Sequence, residues 1–222
     1  MYRISSIIWA VLLVVVAVLT LPYFPQTLSD VFMPRNASLW AQLGLYKWCA
    51  VGALGFLLLR PIVGKNITWF ETFSHELTHA IVSLLFLRKI HGFHVEGSTG
   101  AVSTSGSNHY GFVPIALAPY CLPIFTYCLL SFRCLLVADS VWILDILIGV
   151  TLAFHIGCFK HQIGNHQTDI NQFWLPFSYA YIVTAWVVNI CIILVAFVPG
   201  YNVYTSLWRY LTALFHGFIA FF

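Results

Sequence analysis

The chain has 222 residues, of which 60% are hydrophobic and only 8% are charged, and its mean hydropathy is +0.88. Soluble domains carry about 25% charged residues, so we interpret this chain as an integral membrane protein surrounded by lipid. Ten Lys and Arg against seven Asp and Glu give a net charge of +3. So few basic residues cannot form a face that neutralises a run of phosphates, which excludes nucleic acid as a partner.

The apolar residues form blocks of helical length, which predict an all-α, polytopic membrane fold with about six transmembrane helices. Residues 22–38 contain three prolines and predict a loop after the first span. The stretch 204–222 is apolar but carries Arg209 and His216, and we expect it to lie at the membrane interface rather than to cross. In chain order the predicted spans are 4–21, 39–59, 68–87, 112–137, 141–159 and 179–198.

The third predicted span opens with Thr68-Trp69-Phe70-Glu71, the pattern of a capping box. In a capping box a Thr at the helix start is followed three residues later by a Glu that bonds back to the start. We therefore assign Glu71 to helix capping, although it shares a helical face with two histidines further along. The span ends at a basic pair, Arg88-Lys89.

A Gly-rich segment, 91–110, follows the third span and breaks its apolar pattern. Two short extended pieces, 93–96 and 101–104, flank Gly97-Ser98-Thr99-Gly100 and predict a short β-hairpin. A flexible loop over 92–108 is the alternative interpretation.

The third span contains the pattern HExxH, in which His75 and His79 flank Glu76. The i, i+4 spacing puts both imidazoles on one face of a helix, about 6 Å apart along its axis, where both can bind one Zn²⁺. Glu76 is turned by about 100° from His75, beside the metal but not bound to it, as a general base requires. Ionisable residues inside a span are costly unless they are paired or functional. The pattern therefore predicts a zinc site, and polar packing between helices is the alternative.

Two imidazoles are too few for a catalytic zinc ion, which takes three protein ligands and leaves a fourth position for water. Asp169 ranks first as the third ligand, because it opens a second apolar region and is framed by hydrogen-bonding residues. An N-terminal helix cap is the structural alternative for this residue. The other candidates for the third ligand are Asp145, His155, His161 and His166.

A transmembrane HExxH pattern, a Gly-rich hairpin-like segment and a distant Asp at a later span resemble the site-2 protease family of intramembrane zinc metalloproteases. The resemblance covers about residues 68–175. It implies a set of roles for five side chains. Those roles are zinc ligand for His75, His79 and Asp169, catalytic base for Glu76, and substrate contact for Asn165.

Two differences set the chain apart from the usual family pattern. The family's third-ligand motif carries Asn and Pro and ends in Asp-Gly, whereas Asp169 is followed by Ile170 and no Pro precedes it nearby. No insertion of the size of a PDZ domain is present. The resemblance therefore indicates a divergent, compact branch without a PDZ domain.

Together these features predict a single membrane-embedded metalloprotease domain over residues 1–222. It would use Zn²⁺ to hydrolyse a peptide bond in or near a transmembrane segment of a membrane-protein substrate, in the cytoplasmic membrane if the source is bacterial. The hairpin edge would hold the unwound substrate as an added strand. The alternative is a non-proteolytic polytopic protein that binds or transports a metal ion through its histidines, and such a protein would not need Glu76.

Overall fold

The computed structural model describes residues 2–33, 38–64, 66–105, 111–136, 141–164 and 167–219, which are mostly helical with one small sheet. The chain divides into two compact units, and each is assembled from three separate segments. Unit one comprises Met1–Leu13, Leu58–Leu122 and Ile156–Val183, and unit two comprises Val14–Leu57, Pro123–His155 and Thr184–Phe222.

The helices in the described residues vary from a single turn to a length sufficient to cross a bilayer. A short 3₁₀ helix, Ala118–Tyr120, directly follows the fifth of them. In chain order the α-helices are α1 Tyr2–Phe32, α2 Leu39–Leu45, α3 Lys47–Val63, α4 Asn66–Leu85, α5 Phe112–Leu117, α6 Ile124–Arg133, α7 Val141–Gln162, α8 Thr168–Asn171, α9 Leu175–Ala196 and α10 Val203–Ile219.

Three of these helices are long and apolar enough to cross a membrane: α1 over Ile7–Phe32, α7 and α9. Two further pairs meet the same criteria only when each pair is taken together. One pair, α2 with α3, is bent by 56°, and the other, α5 and the 3₁₀ helix with α6, is bent by 82°. Pro119 and Pro123 lie at the sharper bend, where proline removes a helical donor and restricts the residue before it. The described residues thus hold three to five candidate spans, against about six predicted.

The predicted loop over 22–38 is wrong up to Phe32, because α1 continues through two of its prolines. Packing of one helical face outweighs the local preference of proline here. Tyr23 and Thr27 are buried, and the ring of Tyr23 packs edge-on against Tyr210 with centroids 5.3 Å apart. Burial of such apolar surface is the main stabilising contribution in folding.

Helix α4 carries the HExxH pattern, but it is not among the helices that meet the span criteria. Its hydroxyl, imidazole and carboxyl side chains interrupt the apolar sequence. The helix begins at Asn66, so Thr68 lies inside it rather than at its start. The carboxylate of Glu71 instead contacts Arg60 at 3.0 Å. The predicted capping box is therefore wrong.

The Gly-rich segment after α4 forms two antiparallel strands, β1 Lys89–Glu96 and β2 Thr99–Ser105. Both strands are longer than the extended pieces that the sequence predicted. Gly97 takes a φ of +58° in the turn between them, a conformation that favours glycine. The sheet packs on α4, where the ring centroids of Phe73 and Phe93 lie 5.9 Å apart.

Unit two buries an ion pair between Arg133 of α6 and Asp145 of α7. The Arg133 Nε donates to Asp145 Oδ1 at 2.7 Å, and the Asp145 side chain is only 8% exposed. The guanidinium also donates to the Ala196 carbonyl at 3.3 Å and lies 5.0 Å from the centre of the Phe197 ring. The carboxylate of Asp145 is thus neutralised within its own unit.

Candidate metal centre

Three side chains of unit one converge although Asp169 lies far from the two histidines in the sequence. The Oδ2 atom of Asp169 lies 3.4 Å from Nε2 of His75 and 3.2 Å from Nε2 of His79. One ligand atom from each residue lies within 4.8 Å of the other two. The side chains of His75, His79 and Asp169 are 10%, 12% and 21% exposed. The cluster is therefore largely shielded from solvent.

The second nitrogen of each imidazole has a partner of its own. Nδ1 of His79 lies 2.7 Å from the backbone carbonyl oxygen of Ile115 in α5, and Nδ1 of His75 lies 3.0 Å from Oε1 of Gln162 in α7. A carbonyl oxygen accepts only, so Nδ1 of His79 donates. Metal-binding histidines usually donate their other ring N–H to such an acceptor, which fixes the tautomer and the ring orientation. Both Nε2 atoms are thereby directed at Asp169.

The donor set fits a divalent cation that accepts nitrogen and oxygen ligands. With Nδ1 protonated, a neutral imidazole presents an Nε2 lone pair, and two such lone pairs face a carboxylate oxygen. This arrangement needs positive charge between the three atoms, from protons or from a metal ion. Ligands about 2.1 Å from a tetrahedral zinc are about 3.4 Å apart, which matches the separations of 3.2 and 3.4 Å at Asp169 Oδ2.

The environment of Asp169 keeps its carboxyl group ionised. Burial opposes ionisation, but when the Nε2 atoms of His75 and His79 carry protons, their hydrogen bonds to Asp169 outweigh it and hold the pKa of Asp169 well below its usual range. Nε2 of Gln172 donates to the second oxygen, Oδ1, at 3.2 Å. Asp169 lies in the first turn of α8, whose N-cap is Gln167. The alternative that Asp169 caps this helix is therefore wrong.

Glu76 lies beside the cluster and outside the group of three ligand atoms. Its side chain is buried against β2, where the backbone of Gly100 passes directly over it. A Cβ atom on Gly100 would lie 2.5 Å from Cγ and 2.8 Å from Oε1 of Glu76. Only glycine allows the strand to approach the carboxyl group this closely.

A cavity of about 900 Å³ connects these groups. His75, Glu76, His79 and Asp169 all line it, and residues 99–102 of β2 contribute one wall. This volume is within the usual range for pockets that bind small molecules. The candidate ligand atoms, the carboxyl group of Glu76 and a strand thus face the same space.

Three of the other candidates for the third ligand, Asp145, His155 and His161, do not join the cluster. Asp145 pairs with Arg133, and the ring of His155 packs on Trp186 with centroids 5.2 Å apart. Nδ1 of His161 lies 3.3 Å from Oε2 of Glu71. His166 and Asn165, the predicted substrate contact, lie outside the described residues.

The histidines of the sheet form no second metal site in the described part of the chain. His94 lies 3.5 Å from the exposed Glu96, and His91 lies 2.6 Å from the Ser105 hydroxyl. Across the described residues, the group of His75, His79 and Asp169 is the only set of His, Cys, Asp or Glu side chains that could hold an ion.

Sequence reasoning missed the residues that support the ligands: Gln162, Gln172, Gly100 and the carbonyl of Ile115. The positions of the glutamines and the glycine in the sequence could have indicated them. Both glutamines flank the Asp169 segment, and Gly100 belongs to the Gly-rich stretch. A backbone carbonyl has no sequence signal.

Comparison of the chain with family models, with curated proteins and with solved structures finds no match.

Proposed function

We propose that the chain is a multi-pass membrane zinc endopeptidase of the HExxH type, related to the site-2 proteases, which hydrolyses a peptide bond in or near a transmembrane segment of another membrane protein. The observation that carries the proposal is the convergence of His75, His79 and Asp169 beside a buried Glu76. Two His and one carboxylate are a ligand set of catalytic zinc sites. The apolar helices support a membrane location.

His75 and His79 would hold zinc through Nε2, and Asp169 would hold it through Oδ2. Zinc in such a site supplies a Lewis acid that polarises a carbonyl and lowers the pKa of bound water to about 7. The hydrogen bonds to Gln162 and to the Ile115 carbonyl orient the two rings before the metal arrives. The burial of the three side chains limits the access of bulk water.

Glu76 is the residue that would move the proton. Its carboxylate accepts a proton from the attacking water as the oxygen bonds to the carbonyl carbon of the substrate. The same carboxyl group then gives the proton to the amine nitrogen as the C–N bond breaks, so the base is restored. General acid–base catalysis of this kind contributes about 10²- to 10⁴-fold to a rate.

Strand β2 would present the substrate to these groups. A transmembrane helix must unwind before cleavage, because its carbonyl groups are engaged in helical hydrogen bonds. One edge of β2 pairs with β1, and residues 99–102 of β2 line the cavity with Glu76. An unwound segment added to the other edge of β2 would gain main-chain hydrogen bonds beside the catalytic base.

The substitution Glu76→Gln tests this function most directly. The amide keeps the shape of the side chain but cannot accept a proton, so cleavage should fall by at least about 100-fold while bound zinc stays stoichiometric. The measurement is co-expression with a panel of single-span membrane proteins, followed by detection of accumulated precursors and by metal analysis of the purified protein. Glu96→Gln is the matched control, because the Glu96 side chain is 82% exposed.

Full proteolysis by the Glu76→Gln variant would contradict the proposed mechanism. Zinc bound by the wild type without any cleavage, together with metal flux that survives Glu76→Gln, would favour the non-proteolytic alternative. In that case the histidines would serve metal binding or transport alone.

A further inference from the structure

Gln162, the last residue of α7, connects two parts of the metal centre through a single amide group. Its Nε2 atom donates to the backbone carbonyl of Glu71 at 3.2 Å, and its Oε1 atom lies 3.0 Å from Nδ1 of His75. Both partners belong to α4, one helical turn apart. The amide therefore joins the end of α7 to the turn of α4 that bears the first histidine.

These two contacts determine the orientation of the amide and the tautomer of His75. The Glu71 carbonyl can only accept, so the atom of Gln162 that faces it must be the NH₂ group. The amide oxygen then faces His75 and accepts, which makes Nδ1 of His75 the donor. The proton of a neutral His75 is thus placed on Nδ1, and the Nε2 lone pair is directed toward Asp169.

The end of α7 is held in this position by a second contact at the neighbouring residue. His161 lies 3.3 Å from the Glu71 carboxylate, and Arg60 donates to the same carboxylate at 3.0 Å. Glu71 therefore binds α7 twice, through its carboxylate to His161 and through its backbone carbonyl to Gln162. This anchoring leaves the amide oxygen of Gln162 little freedom other than to face His75.

The Nδ1 atom of His79 also has a partner, but this partner is a backbone group rather than a side chain. Its Nδ1 donates to a backbone carbonyl, that of Ile115, which no side-chain substitution removes. Gln162 is the corresponding partner that a mutation can remove. The two rings of the centre are thus oriented alike, one by main chain and one by a side chain.

We propose that Gln162 is a positioning residue of the metal centre, whose amide oxygen fixes His75 as the Nδ1–H tautomer so that Nε2 binds the metal. The inference rests on the proposed zinc function and adds a residue that the HExxH pattern does not include. Outer partners of this kind typically contribute 10- to 100-fold to metal affinity. Gln162 acts on the metal through His75 and is outside the group of three ligands, so its effect should be measured as zinc affinity.

The experiment measures zinc affinity of the purified full-length protein by competition with a chelator for three variants. Gln162→Met keeps the length of the side chain but removes both polar groups, and its affinity should fall about 10- to 100-fold. Gln162→Glu keeps an acceptor for His75 but replaces the donor to the Glu71 carbonyl by a second acceptor, so its affinity should recover toward that of the wild type and clearly exceed that of the Met variant. Gln26→Met makes the same change at an exposed position of α1 and should have no effect.

Recovery of affinity in the Glu variant is the result that a merely structural tie between the helices would not produce. Equal losses in the Met and Glu variants, or an unchanged affinity in the Met variant, would overturn the proposal. If the Met variant does not fold, Gln162→Asn provides the test, because its shorter amide cannot reach both partners and its affinity should fall. A wild type that binds no zinc would overturn the proposed function itself, and this inference with it.

Discussion

Asp145 in unit two and Asp169 in unit one are both largely shielded carboxylates, and the two differ in how their charge is neutralised. In unit two, Asp145 faces Arg133, whose guanidinium also reaches a backbone carbonyl and an aromatic ring. In unit one, Asp169 faces the Nε2 atoms of two imidazoles whose Nδ1 atoms have partners elsewhere. The first carboxylate has a permanent cation at 2.7 Å. The second has only groups that are neutral unless protons or a metal ion are added.

The charge of Asp145 is thus neutralised by another residue of the polypeptide, whereas the charge of Asp169 needs an added cation. Arg is protonated at every physiological pH, so the Arg133 pair is a fixed structural element. Imidazole is neutral near pH 7 unless its pKa is raised, and its lone pair is a metal ligand. A buried ionisable group in an apolar chain is therefore not by itself evidence of function. The identity of its partner indicates whether the group is structural or functional.

Removal of Arg133 should break the complete pair and give the largest loss of stability. Arg133→Met leaves the Asp145 carboxylate buried without its cation, which costs about 3–5 kcal/mol. The double variant Arg133→Met/Asp145→Leu should recover most of this loss, because no charge is then left uncompensated. Unfolding of the purified protein measures both effects, with zinc content unchanged in the folded fraction. A double variant as unstable as the single one would contradict this account.

Removal of the Asp169 carboxylate should disrupt the candidate metal centre. Asp169→Ser leaves two imidazoles and a hydroxyl that is a poor zinc ligand at neutral pH, so zinc affinity should fall by at least about 100-fold, more than the loss of an outer partner. Asp145→Ser is the matched control and should keep stoichiometric zinc in the folded protein. Stoichiometric zinc in the Asp169→Ser variant, with loss in the Asp145→Ser variant, would mean that Asp145 is the third ligand.

A methyl group on Gly100 should impair the catalytic base of unit one and leave its zinc ligands in place. Gly100→Ala places a Cβ atom 2.5 Å from Cγ of Glu76, so the carboxyl group must move. A misplacement of about 1 Å can cost about 100-fold in rate, and cleavage should fall by roughly 10- to 100-fold while zinc stays bound. Gly55→Ala, with no neighbouring atom within 4 Å, should cleave normally. Normal cleavage by the Gly100→Ala variant would show that Glu76 tolerates the displacement.

Proline in β2 should give the smallest effect and tests the strand as a substrate platform. Successive N–H groups along a strand point to opposite edges, so one of Ala101→Pro and Val102→Pro removes a donor from the edge that does not pair with β1. The loss of one hydrogen bond costs about 1 kcal/mol, or about fivefold in cleavage. Unchanged turnover in both variants would argue against substrate addition to this edge.

The parts of the fold that the sequence predicted well are those in which local pattern and packing agree. The continuous apolar blocks correctly located α7 and α9, since long helices with so few polar residues have few alternatives in lipid. The prolines of α1 misled the prediction, because α1 continues through both of them, and its Tyr23, which lies between them, packs on Tyr210. Glu71 misled it too, because its partner Arg60 precedes α4 and its other partner His161 follows much later in the chain.

The sequence by itself determined the relative placement of His75, Glu76 and His79, because residues within one turn of a helix have fixed angular and axial spacing. It also ranked Asp169 first as the third ligand, because this residue opens an apolar region and has hydrogen-bonding neighbours. The tertiary structure alone decided that Asp169 meets both imidazoles, that Asp145 is satisfied by Arg133, and that Gln162 orients His75. These are contacts between segments distant along the chain, and they depend on how whole helices pack rather than on local backbone geometry.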